Sequence, residues 1–139
     1  YKQGTNLQAS SMIQVILAGF LKSHGPDVFR ELIKENCRFY RANRDVMVNA
    51  LQNRLKGQVT FNIPKSGMFI WLSLPEHIDT HAMIDNHSID YQVLMVPGSA
   101  FSTTGKLTNS MRLSFSMVTE DQIVEGVSRL EAMLSHYNA

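Results

Sequence analysis

The chain has 139 residues, 44% of them hydrophobic and 18% charged, with 13 Lys and Arg against 12 Asp and Glu for a net charge of +1. These totals fit one ordinary soluble globular domain with a real core and argue against a disordered chain. So balanced a charge offers no electrostatic footprint for nucleic acid or an anionic membrane, and no apolar run reaches the ~18 residues of a spanning helix.

The opening YKQGTNLQ has neither signal-peptide form nor an initiator Met, so the chain is expected to begin inside a longer protein. The one cysteine, Cys37, rules out an internal disulfide and suits a reducing, cytoplasmic setting. It is expected as a small core residue. Leu7 to Lys22 reads as a helix, and Gly25-Pro26-Asp27 opens a second, longer one over 26–56. Proline suits the first helical position, and an acid in the first turn suits the helix dipole. From there Phe29, Ile33, Cys37, Tyr40, Met47, Leu51 and Leu55 recur at spacings of three, four and seven, forming one stripe with Arg44 in its gap. Lys56-Gly57 closes the element. Its thirty-odd residues would span about 45 Å, longer than a compact domain of this size needs by itself.

Beyond Gly57 the period changes. VTFNI (59–63) reads as a short strand, and MFIWLSL (68–74) as a central one because both of its faces are apolar. A short helix starts at Asp79-Thr80, with either residue as N-cap, and YQVLMV (91–96) reads as a strand ending at the turn Pro97-Gly98. A polar loop leads into TNSMRLSFSM (108–117), and Thr119-Glu120-Asp121 caps a last helix ending near His136. The order predicts an α+β layer: a small, mostly antiparallel sheet of about four strands covered by helices, with a long N-terminal helix.

The alternation in 108–117 isolates one arginine. Met111, Leu113, Phe115 and Met117 share a core face, whereas Arg112 lies among Ser110, Ser114 and Ser116 on the other. That leaves room above the sheet for a carboxylate-sized group. A solvent-facing arginine with a weak surface ion pair fits the same pattern.

Other chemistry finds little support. His77 and His81 are four apart, with Asp79, Asp85 and His87 nearby, but a helix starting at Asp79 leaves His77 off its face, and no HExxH occurs. GSAFSTTGKL (98–107) fails the Walker spacing: six residues separate its glycines, and Leu107 follows Lys106. No GxSxG occurs, and Cys37 has no histidine close in sequence.

Three segments in order, KSGMFIWLSLP (65–75), VLMVPGSAF (93–101) and MRLSFS (111–116), resemble the C-terminal part of class I/II, fold-type I, pyridoxal-phosphate-dependent aminotransferases. The resemblance is nearest to the kynurenine/2-aminoadipate and multi-substrate branch. NLQASSMIQ is similar to the segment opening that family's interdomain region, and YRANRDVMVNAL (40–51) to the middle of its long helix. The resemblance implies that Arg112 binds the substrate α-carboxylate, and a planar guanidinium can grip both carboxylate oxygens in a fork. It also implies that Phe69 lines the substrate side-chain space, where a core aromatic is the competing reading. Gly67 would let the backbone turn close to the site, as would any turn glycine.

The family's cofactor-binding lysine lies in an S-x-S-K-x-x-x-P-G-x-R-x-G type motif. None of Lys2, Lys22, Lys34, Lys56, Lys65 and Lys106 stands in one. The resemblance therefore implies a C-terminal fragment, with residues 1–25 leading from a missing large domain and 26–139 forming the small domain. It implies a parent homodimer using pyridoxal 5'-phosphate, an α-amino acid and a 2-oxo acid, and a fragment inactive by itself. Two alternatives stay open: an effector-binding, aminotransferase-like domain of a transcription regulator, and a stand-alone binding module.

Overall fold

The computed structural model describes residues 9–137. Helix α1 runs Ser11–Arg54 and is interrupted at Gly25, whose φ of 77° and ψ of 161° are not helical. Pro26 follows and drives the residue before it out of the helical region, a position that glycine fills without strain. The two helices read from the sequence are thus recovered as one helical stretch with a break at the expected dipeptide. Residues 7 and 8, assigned to the first helix, lie outside the described residues.

The chain divides after Phe39 into two units. The described residues up to Phe39 are almost wholly helical, and many of their apolar side chains, among them Ile13, Ile16, Leu32 and Ile33, are exposed. Cys37 is exposed as well, which corrects its assignment to the core. The same correction applies to Phe29 and Ile33, 38% and 47% accessible. Helical spacing places side chains on a common face but does not supply anything to cover that face.

From Tyr40 on, the remaining elements gather around one core. They are β1 (Thr60–Phe61), β2 (Phe69–Ser73), α2 (Thr80–His87), β3 (Val96–Pro97), a 3-10 turn (Gly98–Phe101), β4 (Ser110–Ser114) and α3 (Glu120–Tyr137). The sheet order is β1-β2-β4-β3, antiparallel throughout, so β2 is interior as its apolar sequence predicts. Ile70, Leu72, Met111 and Leu113 pack into a core with Met47 and Leu51 of α1, Leu55 just beyond it, Met83 and Ile84 of α2, and Ile123, Val127, Leu130 and Met133 of α3.

The helix starts follow local chemistry. The Asp79 carboxylate accepts from the His81 and Ala82 amides at 2.9 and 3.1 Å. Thr119 and Gln122 close a reciprocal capping box at 3.3 and 2.9 Å.

Strand lengths depart from the sequence reading. Of 91–96, only Val96 is in a strand. Gln92 has φ +51°, and the amides of Tyr91, Gln92 and Val93 bond back to His87, Ile89 and Ser88, so these residues complete a turn out of α2. Met117 is 91% exposed and Ser110 is buried, both against the alternation. The strand ends at Ser114, beyond which the two-residue period no longer sets direction, and Ser110 packs where Gly98 comes close.

Candidate functional site

Arg112 occupies the middle of β4, opposite Trp71 of β2 on one side and Val96 of β3 on the other. Directly paired residues share a face, so Phe69, Trp71, Arg112 and Ser114 stand together, opposite the Ile70, Leu72, Met111 and Leu113 face. The latter face is buried, whereas Phe69 and Trp71 remain 39% and 36% accessible. The arginine therefore lies on an open aromatic face.

Both ends of its strand are pinned by polar side chains. At the leading end the buried Thr80 hydroxyl reaches the carbonyls of Thr108 and Ser110 at 2.8 and 2.7 Å. The Asn109 side-chain amide donates to the Leu74 carbonyl at 2.7 Å. At the trailing end the Asn43 amide donates to the carbonyls of Phe115 and Val118 at 2.8 and 2.9 Å. A side chain borne on a strand held in this way keeps its place above the sheet.

The Arg112 guanidinium carbon lies 4.0 Å from the centroid of the Phe69 ring and 4.7 Å from that of Phe101. Trp71 meets Phe101 edge to face at 5.5 Å. Phe101 comes from the 3-10 turn, whose path depends on Gly98. A side chain there would put its Cβ 2.7 Å from the Leu107 carbonyl oxygen and 2.8 Å from that of Ser110. Phe101 is the residue that sequence reasoning missed. It lies in a segment read as a polar loop, and its one signal is that it is the only aromatic residue in 98–107.

The electrostatics of Arg112 differ from those of its neighbours. Arg44 bonds to Asp45 and the Pro64 carbonyl, Arg54 to Glu131, and Arg129 to Glu125 and Gln92. Arg112 is half-buried, yet among the described residues its guanidinium has no hydrogen-bond or ion-pair partner. Arg38 and Arg41 also have no partner among the described residues, but they lie exposed on α1. No buried side-chain nitrogen or oxygen lacks a partner among the described residues, so the Arg112 nitrogens that lack one are not sealed away from solvent. Aromatic contacts on a planar cation leave its N–H edge free for an acceptor. A planar anion with two oxygens fits that edge.

Of the other candidates, Phe69 forms an aromatic contact to Arg112. Gly67 precedes it by two residues at φ +84° with open space around its Cα, so its contribution is a left-handed turn into β2. Among the described residues no group of three or more His, Cys, Asp or Glu is arranged to hold a metal ion, and His81 faces Asp85 at 3.6 Å.

A family model described as "Aminotransferase class I and II" matches residues 4–130. Among curated relatives, the chain is 36% identical over 134 residues to aromatic-amino-acid aminotransferase 1 of Thermococcus litoralis, covering 93% of this chain and 30% of that protein. It is 31% identical over 129 residues to the 2-aminoadipate transaminase of Thermus thermophilus, covering 93% and 31%. Among solved structures, it resembles kynurenine aminotransferase of Pyrococcus horikoshii, in complex with PMP and with KYN and KYA as substrates and products. That match has a TM-score of 0.83 and 34% identity over 98% of this chain and 33% of the other. The α-aminoadipate aminotransferase LysN of Thermus thermophilus, bound to N-(5'-phosphopyridoxyl)-L-leucine, matches with TM-score 0.81 and 31% identity, over 97% and 33%. The chain thus spans about a third of the length of the relatives it matches.

Proposed function

The chain belongs to the class I and II aminotransferase family, and we propose that it is the C-terminal, small-domain part of an enzyme that moves an amino group from an α-amino acid to a 2-oxo acid. The observation that carries this reading is Arg112, half-buried on an aromatic face with no protein partner for its guanidinium among the described residues. An arginine held this way is preorganised for a carboxylate, the group that both proposed substrates share.

In this reading pyridoxal phosphate, held by residues outside this chain, supplies the electron sink for the reaction. The work of the chain itself is orientation. Arg112 grips both carboxylate oxygens, which fixes the substrate about its α-carbon, and such positioning is a large part of a catalytic barrier. Phe69 holds the guanidinium and borders the substrate side chain, and the turn at Gly67 brings β2 into place. The exposed apolar residues before Phe39 support a helix made to meet a larger domain, with residues 1–25 leading from it and 26–139 forming the small domain. A cytoplasmic homodimer is the expected state of the parent.

The test is Arg112→Ala and Arg112→Lys in the full-length parent. Loss of a charge-assisted pair removes about 1.5–3 kcal/mol of binding, a fall of roughly 10- to 150-fold in kcat/KM. It should strike amino acid and oxo acid alike, because the carboxylate is common to both. Lysine should recover only part of it, since it keeps the charge without the fork. Unchanged kcat/KM for both substrates in the alanine variant would remove Arg112 from the site.

A further inference from the structure

The last turns of α2 and α3 bring two histidines together. His87 closes α2, and His136 lies in the last turn of α3. Their ring centroids are 5.0 Å apart and their planes are tilted by 41°. By contrast, Phe20 and His24 form a stacked pair at 4.7 Å and 18°. The His87 side chain has no hydrogen-bond or ion-pair partner among the described residues, and His136 is exposed. Tyr91 places its hydroxyl 2.8 Å from His136 Nδ1. The backbone turn after α2, with the Tyr91 amide bonded to the His87 carbonyl at 3.1 Å, holds that phenol between the two helices' ends.

We propose that His87 and His136 form a site for a divalent transition metal of the zinc, nickel and copper group, with Tyr91 as the orienting residue and water in the remaining positions. A zinc ion lies about 2.0–2.1 Å from an imidazole nitrogen, and the ring centre about 1.2 Å further, so two imidazoles on one tetrahedral ion have centroids about 5 Å apart. The observed centroid separation of 5.0 Å matches that spacing. With its proton on Nδ1, His136 donates to the Tyr91 oxygen and leaves the Nε2 lone pair free, the usual arrangement of a ligating histidine and its outer partner. Imidazole nitrogen is a preferred donor for this group of metals, whereas magnesium and calcium prefer oxygen ligands. A bound ion would tie the C-terminal turn of α3 to that of α2.

Titration of the 139-residue chain with zinc chloride, followed by calorimetry, tests this. The expected result is one ion per chain, with affinity reduced at least about tenfold in both His87→Gln and His136→Gln and retained in His81→Gln. A second measurement does not depend on how the variants fold: in the NMR spectrum of the unmodified chain, zinc should shift the ring protons of two of its five histidines and leave the other three in place. Zinc binding that is equally strong in both variants, ring shifts on other histidines, or no binding by the unmodified chain would overturn the proposal.

Discussion

Asn43 is 2% exposed, and its amide nitrogen donates to the carbonyls of Phe115 and Val118, immediately beyond the strand that carries Arg112. Asn43→Ala removes both donors at once. Each lost hydrogen bond is worth about 1 kcal/mol net, and a carbonyl left buried without a donor costs about 1–3 kcal/mol. The Phe115 bond is buried and the Val118 bond only part-buried, so water can replace one of the two. The expected loss is therefore about 2–4 kcal/mol. For a folding unit of about 100 residues this lowers Tm by roughly 10–25 °C. Urea unfolding followed by circular dichroism and by fluorescence of the single tryptophan, Trp71, measures it, with the denaturant slope unchanged. Asn43→Leu fills the volume without a donor and should be destabilising to a similar degree. A loss below about 0.5 kcal/mol in both variants would refute the reasoning, since it would mean that the two carbonyls need no side-chain donor.

Two further substitutions probe the elements around the arginine. Gly98→Ala forces a Cβ to within 2.8 Å of two backbone oxygens, so the 3-10 turn must shift; the expected cost is about 1–3 kcal/mol, read from the same urea curves. Phe101→Leu keeps an apolar side chain but removes one of the two rings from the guanidinium. If the full-length parent works as proposed, the loss of about 0.5–1 kcal/mol should appear as a two- to fivefold fall in kcat/KM for amino and oxo acids together, checked by steady-state kinetics.

The features legible from residue order alone lie within a few residues of their cause. Gly25-Pro26 breaks α1 through its own backbone restrictions. Asp79 and Thr119 open their helices by bonding amides two or three residues ahead. The two-residue period sets Arg112 apart from Met111 and Leu113, and the apolar run 68–74 marks β2 as interior. The resemblance to the aminotransferases was carried by ordered segments of the same kind, and the family match over residues 4–130 agrees with it. Tertiary structure alone decided which surfaces are covered and which groups meet. Cys37 stays exposed because a helical stripe does not imply a partner, and Asn43 is buried because the chain after β4 returns to it more than seventy residues later. Phe101 reaches Arg112 through a turn that depends on the close approach permitted at Gly98, and no periodicity encodes that meeting. The physical reason is range: backbone preference and side-chain alternation act between near neighbours, whereas burial and an arginine's choice of partners depend on distant segments that share its space.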